Sequence, residues 1–279
     1  MKWVDLHSHV LWQVDDGAED IDESRLLLES AVRHGVETIC LTPHINRDEN
    51  KDIHAILEKV NQRFRELQEL VAKEGISLNL MRGFEVYFSY DVLKLSDKEL
   101  KQLCLGDSTY MLVELPFDTF APSILTGVYE LRKRGFDPII VHPERSREFQ
   151  LHPETLIDLV SRDILVQVNA ASLLGANGRQ IQKLSTKLVK AGLAHFIASD
   201  LHEGDDGYSV LPRCRESVAR LTSPVFADLL MINNPQRVLN NQLILEPDEI
   251  YPHYLKDSRL LLDHILSPIE KIVSRIKGH

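Results

Sequence analysis

Histidines and carboxylates fall at the ends of apolar runs along this chain. The series opens with Val4-Asp5-Leu6-His7-Ser8-His9-Val10. Strand side chains alternate faces, so His7 and His9 would point the same way from one strand. Two adjacent imidazoles are the common start of a metal site, although a lone His-x-His is as often a partly exposed pair at a strand end. The pattern recurs in the turn Val14-Asp15-Asp16-Gly17, at Thr42-Pro43-His44, at Gly83-Phe84-Glu85, at Val113-Glu114, at Val141-His142 and at Ser199-Asp200-Leu201-His202. A glutamate closing an apolar strand is unusual unless it is paired or ligating. For any one of these positions a satisfied core residue is the better reading. Six polar strand ends together, each with roughly a one-in-three chance of being structural, leave a coincidence below about one per cent. The candidate ligands are thus His7, His9, Asp16, His44, Glu85, Glu114, His142, Asp200 and His202. That many donors exceed one tetrahedral zinc and suit two or three closely spaced divalent ions sharing a bridging carboxylate. Mixed nitrogen and oxygen donors favour manganese, iron or zinc over calcium. Cysteine is absent from the set, which argues against a structural zinc knot.

The elements that must position these groups are legible as alternating strands and helices. Asp20-Ile21-Asp22-Glu23 opens a helix with an acidic first turn, and Gly35 ends it. A strand over 38–42 is broken by Pro43 and delivers His44. Residues 51–74 read as a long amphipathic helix ended by Gly75, with Ile53, Leu57, Val60, Phe64, Leu67 and Val71 on its apolar stripe. A strand at 78–82 runs into Glu85, and further strands end at Glu114, His142 and Asp200. Helical segments lie near 122–134, 154–162, 178–192 and 208–222, with His152-Pro153-Glu154 as a helix start. The strand 165–169 ends in Asn169 and offers no strong ligand. Strand, ligand, helix, repeated about seven times, implies a parallel sheet with crossovers and a closed or nearly closed barrel. In such barrels the chemistry sits at the C-terminal strand ends, where these residues fall.

Composition bounds the function class. The 279 residues, 43% hydrophobic and 27% charged, read as a globular protein able to bury a full core. A net charge of −10 without a basic run argues against a nucleic-acid partner. Cys40, Cys104 and Cys214 form no CxxC, the first residues lack a signal-peptide core, and no apolar run is long enough to span a membrane; the expectation is a reduced, cytoplasmic setting. Nothing divides residues 1–245, which form one expected domain. Residues 246–279 form a separate extension, with a helix over 256–266 and a second from Pro268 to Lys277. Its stripe of Leu262, Ile265, Ile269, Ile272 and Ile276 fits packing on the outer helices; a homo-oligomeric contact is the alternative.

Taken together, His7-Ser8-His9, Asp15-Asp16-Gly17, Thr42-Pro43-His44, Gly83-Phe84-Glu85-Val86-Tyr87, Val113-Glu114, His142-Pro143-Glu144-Arg145, Ser199-Asp200-Leu201-His202 and Ile232-Asn233-Asn234-Pro235 resemble the polymerase-and-histidinol-phosphatase (PHP) superfamily. More narrowly, the chain resembles the bacterial manganese-dependent tyrosine phosphatases of capsule and exopolysaccharide loci, from Met1 to about Leu245. The resemblance implies a distorted (β/α)7 barrel, a trinuclear metal centre with manganese first, and hydrolysis of phosphotyrosine on the C-terminal tail of a cognate capsule-assembly kinase. It places His7, His9, Glu85 and Asp200 on one metal. Glu85, Glu114 and His142 would hold a second, with Glu85 bridging, and Asp16, His44 and His202 a third. It also makes Arg145 a phosphate clamp, for which a guanidinium fork is suited. The bland reading of Arg145 is a surface ion pair with Glu144 or Glu148.

Two features depart from the family pattern. The loop after His202, Glu203-Gly204-Asp205-Asp206-Gly207-Tyr208, is acidic, and the next arginine is Arg213; Ile45 stands where a second histidine is common. Two alternatives stay in view for this reason: a PHP phosphoesterase acting on a sugar or histidinol phosphate, and a non-catalytic, metal-bound scaffold for a kinase. Cys214 and Arg220 match the C-x5-R spacing of cysteine-dependent phosphatases, but the segment has no glycine and reads as helix interior, so Cys214 is rejected as a nucleophile. Asp15 reads as a turn residue, and Tyr87 and Tyr90 either line the pocket mouth or pack.

Overall fold

Parallel strands, taken up one after another in chain order, carry the architecture. In the computed structural model, residues 3–46, 52–118, 120–203 and 207–245 are described. The strands are β1 (Trp3–Ser8), β2 (Val36–Leu41), β3 (His44–Asn46), β4 (Asn79–Arg82), β5 (Glu85–Tyr87), β6 (Tyr110–Glu114), β7 (Asp137–Val141), β8 (Leu165–Asn169) and β9 (Phe196–Ala198). One sheet has the order β1-β2-β4 and the other β3-β5-β6-β7-β8-β9, with every pairing parallel.

The two sheets are joined where two strands break and resume. β2 passes into β3 across Thr42-Pro43, and β4 into β5 across Gly83-Phe84. Hydrogen bonds carry the pairing through both breaks, from Gly83 N to the Leu41 carbonyl at 2.9 Å and from Glu85 N to the Pro43 carbonyl at 3.1 Å. A Cβ on Gly83 would lie 2.6 Å from the Leu105 side chain, so the break needs glycine's missing side chain. The nine segments therefore occupy seven strand positions. The outer strands β1 and β9 meet through a parallel bridge between Ser8 and Leu201, with Asp200 N on the His7 carbonyl at 2.9 Å and His9 N on the Leu201 carbonyl at 2.8 Å. This is the expected seven-strand α/β arrangement, distorted in that its seam is a bridge and two bonds rather than a ladder.

The helices are α1 (Ile21–Arg33), α2 (Ile53–Glu74), α3 (Asp97–Gln102), α4 (Ser123–Lys133), α5 (Arg147–Leu151), α6 (Glu154–Val160), α7 (Ala170–Leu174), α8 (Arg179–Lys190), α9 (Val210–Leu221), α10 (Pro224–Asp228) and α11 (Asn234–Leu239). Their ends follow local chemistry. Asp20 caps α1 by accepting from Glu23 N, Asp52 caps α2 through His54 N and Ala55 N, and Gly75 closes α2 in the left-handed conformation at φ 67°. The segment expected at 208–222 starts as a 3-10 turn, Gly207–Ser209, before α9. The short α3, α5, α7, α10 and α11 were not anticipated, because one or two turns are too few for an apolar period to register.

Side-chain alternation splits the core in two. Leu6, Cys40, Leu112, Ile139, Leu165 and Phe196, from six different strands, belong to one cluster. The Ser8–Leu201 bridge between β1 and β9 brings the two ends of this strand series together. The cluster's sequence neighbours Ile39, Val113, Ile140, Val166 and Ile197 pack instead with helix residues such as Leu27, Leu57, Val128 and Leu188. The expected helices within 246–279, and residues 204–206 of the acidic loop, lie outside the described residues. No described helix is long and apolar enough to cross a membrane.

Candidate metal centre

All nine candidate ligands stand at the same end of the strands or in the turns just beyond. His7 is the penultimate residue of β1 and His9 follows it; His44 opens β3, Glu85 opens β5 and Glu114 closes β6. His142 and Asp200, just past β7 and β9, both take left-handed backbone conformations, at φ 33° and φ 53°. Non-glycine residues avoid that region, and held conformations of this kind collect at functional sites. Here each one turns a side chain inward instead of letting it continue the strand. Asp16, in the turn after β1, is the most exposed of the nine, with its side chain 71% accessible.

The geometry at the centre is that of a coordination shell. His7 Nε2 lies 3.1 Å from His9 Nε2 and from Glu85 Oε2, and 3.3 Å from Asp200 Oδ1. His9 Nε2 lies 3.2 Å from Glu85 Oε2 and 3.4 Å from Asp200 Oδ1. Donors about 2.1 Å from one ion are spaced about 3.0 Å apart in an octahedron and about 3.4 Å in a tetrahedron. The second oxygen of Glu85 faces His142 Nε2 at 2.6 Å, while His44 Nδ1 is 3.0 Å from Oε2, so Glu85 presents its two oxygens in two directions. A further group gathers His9, Asp16, His44 and His202, with His202 stacked on His9 at 3.9 Å between ring centres.

Hydrogen-bond direction fixes which nitrogens are lone pairs. Asp15 accepts from Gly17 N at 3.1 Å and His44 N at 2.9 Å, and it meets His9 Nδ1 at 2.7 Å; an acceptor carboxylate requires a proton on that nitrogen. His202 Nδ1 faces the Asp200 carbonyl at 3.0 Å, so it too is the protonated nitrogen. For His7 the direction is passed along a chain of amides. The Asp200 carboxylate accepts from Asn169 Nδ2 at 2.5 Å, Asn169 Oδ1 accepts from Gln167 Nε2 at 2.7 Å, and Gln167 Oε1 meets His7 Nδ1 at 2.8 Å. His7 Nδ1 therefore carries the proton, and its Nε2, like that of His9, points a lone pair inward. Glu85 Oε2 and Asp200 Oδ1 are buried and, among the described residues, accept no hydrogen bond. Four such atoms facing one another at 3.1–3.4 Å repel unless positive charge, from a metal ion or from protons on the imidazoles, lies among them. The residues present fit a metal ion.

The electrostatics are those of a site short of positive charge. Burial works against a charged His7, but the Glu85 and Asp200 carboxylates outweigh it and raise its pKa to about 9. His9 and His142 are likewise raised against burial, His9 chiefly by Asp15, Asp200 and Glu85, and His142 by Glu85. Burial also opposes the charged form of Glu85 and of Asp200. The imidazoles prevail and hold both below the usual carboxylate range, with His7 and His142 acting on Glu85 and His7 foremost on Asp200. Glu114 lacks such a close partner, and burial with the Glu85 charge pushes it up to about 7.

The profile of the capsular polysaccharide synthesis family CpsB/CapC matches residues 3–240. The chain belongs to that family. It is 37% identical over 200 residues to the tyrosine-protein phosphatase YwqE of Bacillus subtilis, which covers 71% of this chain and 77% of YwqE. It is 28% identical over 247 residues to the tyrosine-protein phosphatase CpsB of Streptococcus pneumoniae, covering 86% of this chain and all of that one. A solved structure from the work on YwqE and CpsB, described there as unique metal-dependent tyrosine phosphatases, superposes with a TM-score of 0.75 at 32% identity, over 87% of this chain and 96% of the other.

In this CpsB/CapC chain three readings made from sequence change. Asp15 is more than a turn residue, since it holds His9 and the backbone of His44. Strand β8 offers no ligand, as expected, but it supplies the supporting amides Gln167 and Asn169; two polar residues two apart on an apolar strand were the available signal. Arg145 pairs with neither Glu144 nor Glu148: its Nη1 donates to Asp200 Oδ2 at 3.2 Å and its guanidinium lies 4.6 Å over the Phe117 ring. Phe117, which also borders His142 at 5.6 Å, had no signature in the sequence. By proximity the donor atoms group with His9 beside Asp16, His44 and His202, and with His44 beside Glu85 and Glu114 while His142 faces the other oxygen of Glu85; the resemblance implies neither His9 in the first set nor His44 in the second. Tyr87 lines a cavity of about 390 Å³ with Asp16, His44 and Glu114, whereas Tyr90 is half exposed and packs edge-on to Phe88. Cys214 is buried inside α9 with its thiol pushed up to about 12 by burial, the opposite of an activated nucleophile. Arg213 is exposed on the same helix.

Proposed function

We propose that this chain is a metal-dependent phosphomonoester hydrolase of the protein-tyrosine phosphatase type, and that its protein substrate is the phosphorylated C-terminal tail of a capsule-assembly tyrosine kinase. The observation that carries the reading is the convergence of the His7, His9, Glu85 and Asp200 donor atoms on one point, two of them buried without a hydrogen bond, beside the guanidinium of Arg145. His7, His9, Glu85 and Asp200 hold one ion. His9, Asp16, His44 and His202 surround a second, and Glu85, Glu114 and His142, with His44 adjoining, a third; manganese suits the donor mix, with iron or zinc as alternatives. Divalent ions bound there supply Lewis-acid activation of water and neutralise charge on the phosphoryl oxygens.

The chain's own residues do the rest. Arg145, anchored on Asp200 and backed by Phe117, has a guanidinium fork that matches two phosphate oxygens and holds phosphorus at the centre. Glu85 turns one oxygen toward His142 and the other toward His7, His9 and His44, and would contribute to more than one ion. His142 buttresses that carboxylate. Tyr87 and Phe117 flank the approach and offer apolar surface to an aryl leaving group.

The test is a phosphatase panel with manganese-loaded protein, comparing phosphotyrosine peptides, phosphoserine peptides and sugar phosphates. Phosphotyrosine turnover abolished by EDTA is expected. Full activity after EDTA, or in a His7→Ala/His9→Ala variant, would overturn the metal reading, and preference for a sugar phosphate would overturn the substrate. Arg145→Ala should cost about 10²–10³ in kcat/KM with metal content unchanged; unaltered kinetics would remove Arg145 from the mechanism.

A further inference from the structure

Residues 164–199 contain no aspartate or glutamate, although the chain carries 42 of them and a net charge of −10. The cations of this stretch are Arg179, Lys183, Lys187 and Lys190, all on α8 at spacings of four, four and three, which puts them along one helix face. Among the described residues none of the four has an ion-pair partner. Two concavities follow this face. One, of about 810 Å³, is lined by Arg179, Gln182, Lys183, Thr186, Lys187 and Lys190, with Gln180. The other, of about 250 Å³, lies between α8 and the α5–α6 connection, where Gln150 and Pro153 face Gln180, Lys183, Leu184 and Lys187. Among the described residues no carboxylate lines either one. The lysine and arginine head groups, with amide N–H and hydroxyl groups beside them, can donate to an anion along this face. Like-charge crowding acts here as well, since burial and the neighbouring Lys183 both lower Lys187.

The position of this groove matters. α8 packs on the turn Pro143–Arg145, and the Gln150 amide donates to the carbonyls of Glu144 and Arg145 at 2.8 and 3.4 Å. One wall of the groove thus also supports the backbone that carries Arg145. From Arg179 to Lys190 the face runs about 16 Å at 1.5 Å per residue, a length an extended peptide covers with about five residues. A concave strip of this length, walled on one side by Gln150 and Pro153, suits a short extended peptide and not the plane of a bilayer.

We propose that the α8 groove docks the acidic residues that flank the phosphotyrosine in the protein substrate. The proposal rests on the phosphatase reading above and adds a determinant of substrate choice outside the metal centre. Docking of this kind lowers KM for the tail peptide without touching the chemical step.

The experiment compares wild type with Lys183→Glu/Lys187→Glu, manganese-loaded, on an acidic-flanked phosphotyrosine peptide and on p-nitrophenyl phosphate. The expected result is a KM for the peptide raised about tenfold or more, with its kcat and both constants for p-nitrophenyl phosphate unchanged, and a wild-type peptide KM that rises with salt. Equal peptide KM in the two proteins overturns the proposal. So does wild-type sedimentation with phosphatidylglycerol vesicles that the variant loses while peptide KM stays the same; that outcome would make the face a membrane contact. If wild type hydrolyses neither compound, the phosphatase reading falls, and fluorescence anisotropy with the labelled peptide decides the groove by itself. Binding weakened in the variant keeps the docking site, and equal binding removes it.

Discussion

His7 has two ring nitrogens, and a metal site needs a particular one of them bare. The proton on Nδ1 is held there by Gln167 Oε1 at 2.8 Å, and Gln167 is oriented by Asn169, which is oriented in turn by Asp200. A carboxylate that only accepts thus determines, through two amides, the tautomer of a histidine on another strand. Outer partners of this type typically contribute about 10–100-fold in metal affinity. Gln167→Leu is expected to weaken manganese binding, measured by calorimetric titration, by about that factor while leaving the fold intact; an unaltered isotherm would mean that the relay does not hold His7. None of this was readable from composition or spacing, because amide direction depends on partners 31 and 160 residues away in sequence. The ligand types themselves were readable, since a buried histidine or carboxylate at the end of an apolar run is costly without a partner.

At the level of elements, strand ends and the turns beyond them do the placing. The turn Val14-Asp15-Asp16-Gly17 hangs on β1: Asp15 meets His9 at 2.7 Å, and Ala18 N donates to the His9 carbonyl at 3.2 Å. Gly17 passes so close that a Cβ there would lie 1.9 Å from the His9 carbonyl oxygen, which is backbone and cannot step aside. Gly17→Ala should therefore displace the turn, costing about 1–3 kcal/mol and a few degrees in Tm. Because Asp15 and Asp16 move with the turn, the rise in Tm on adding manganese should shrink as well, as thermal denaturation with and without the ion would show; a full manganese response would mean that the turn is dispensable. The long helices α1, α2, α4 and α8 were legible from period and caps. The left-handed turns at His142 and Asp200 were not, since local sequence favours ordinary backbone there and only the packed surroundings hold the strained form.

Over the whole molecule, the seam between first and last strands is what makes one site from many ends. Just before β9, His195 is buried, with Nδ1 accepting from Val166 N at 3.0 Å, and burial lowers its pKa to about 4. A histidine whose folded pKa lies below the unfolded value of about 6.5 leaves stability intact above that value and withdraws it as pH falls toward 4, because only the unfolded chain takes up the proton. Between pH 7 and pH 5 this amounts to about 2 kcal/mol. His195→Asn keeps an acceptor without the titration, so its Tm should fall less over that range than that of wild type, by about 4–8 °C; parallel curves would show that His195 takes no part in acid lability. By itself the sequence determined the alternation of strands and helices, the parallel sheet that follows from it, and the residue types gathered at the strand ends. These depend on side-chain period and on the cost of burying polar groups, both local properties of the chain. Only the tertiary structure decided which donors stand together, which nitrogens turn inward, that Arg145 turns to Asp200, and that Asp15, Gln167 and Asn169 hold these groups in place. Those outcomes depend on distances between strands far apart in sequence, which exist only once β1 and β9 have met.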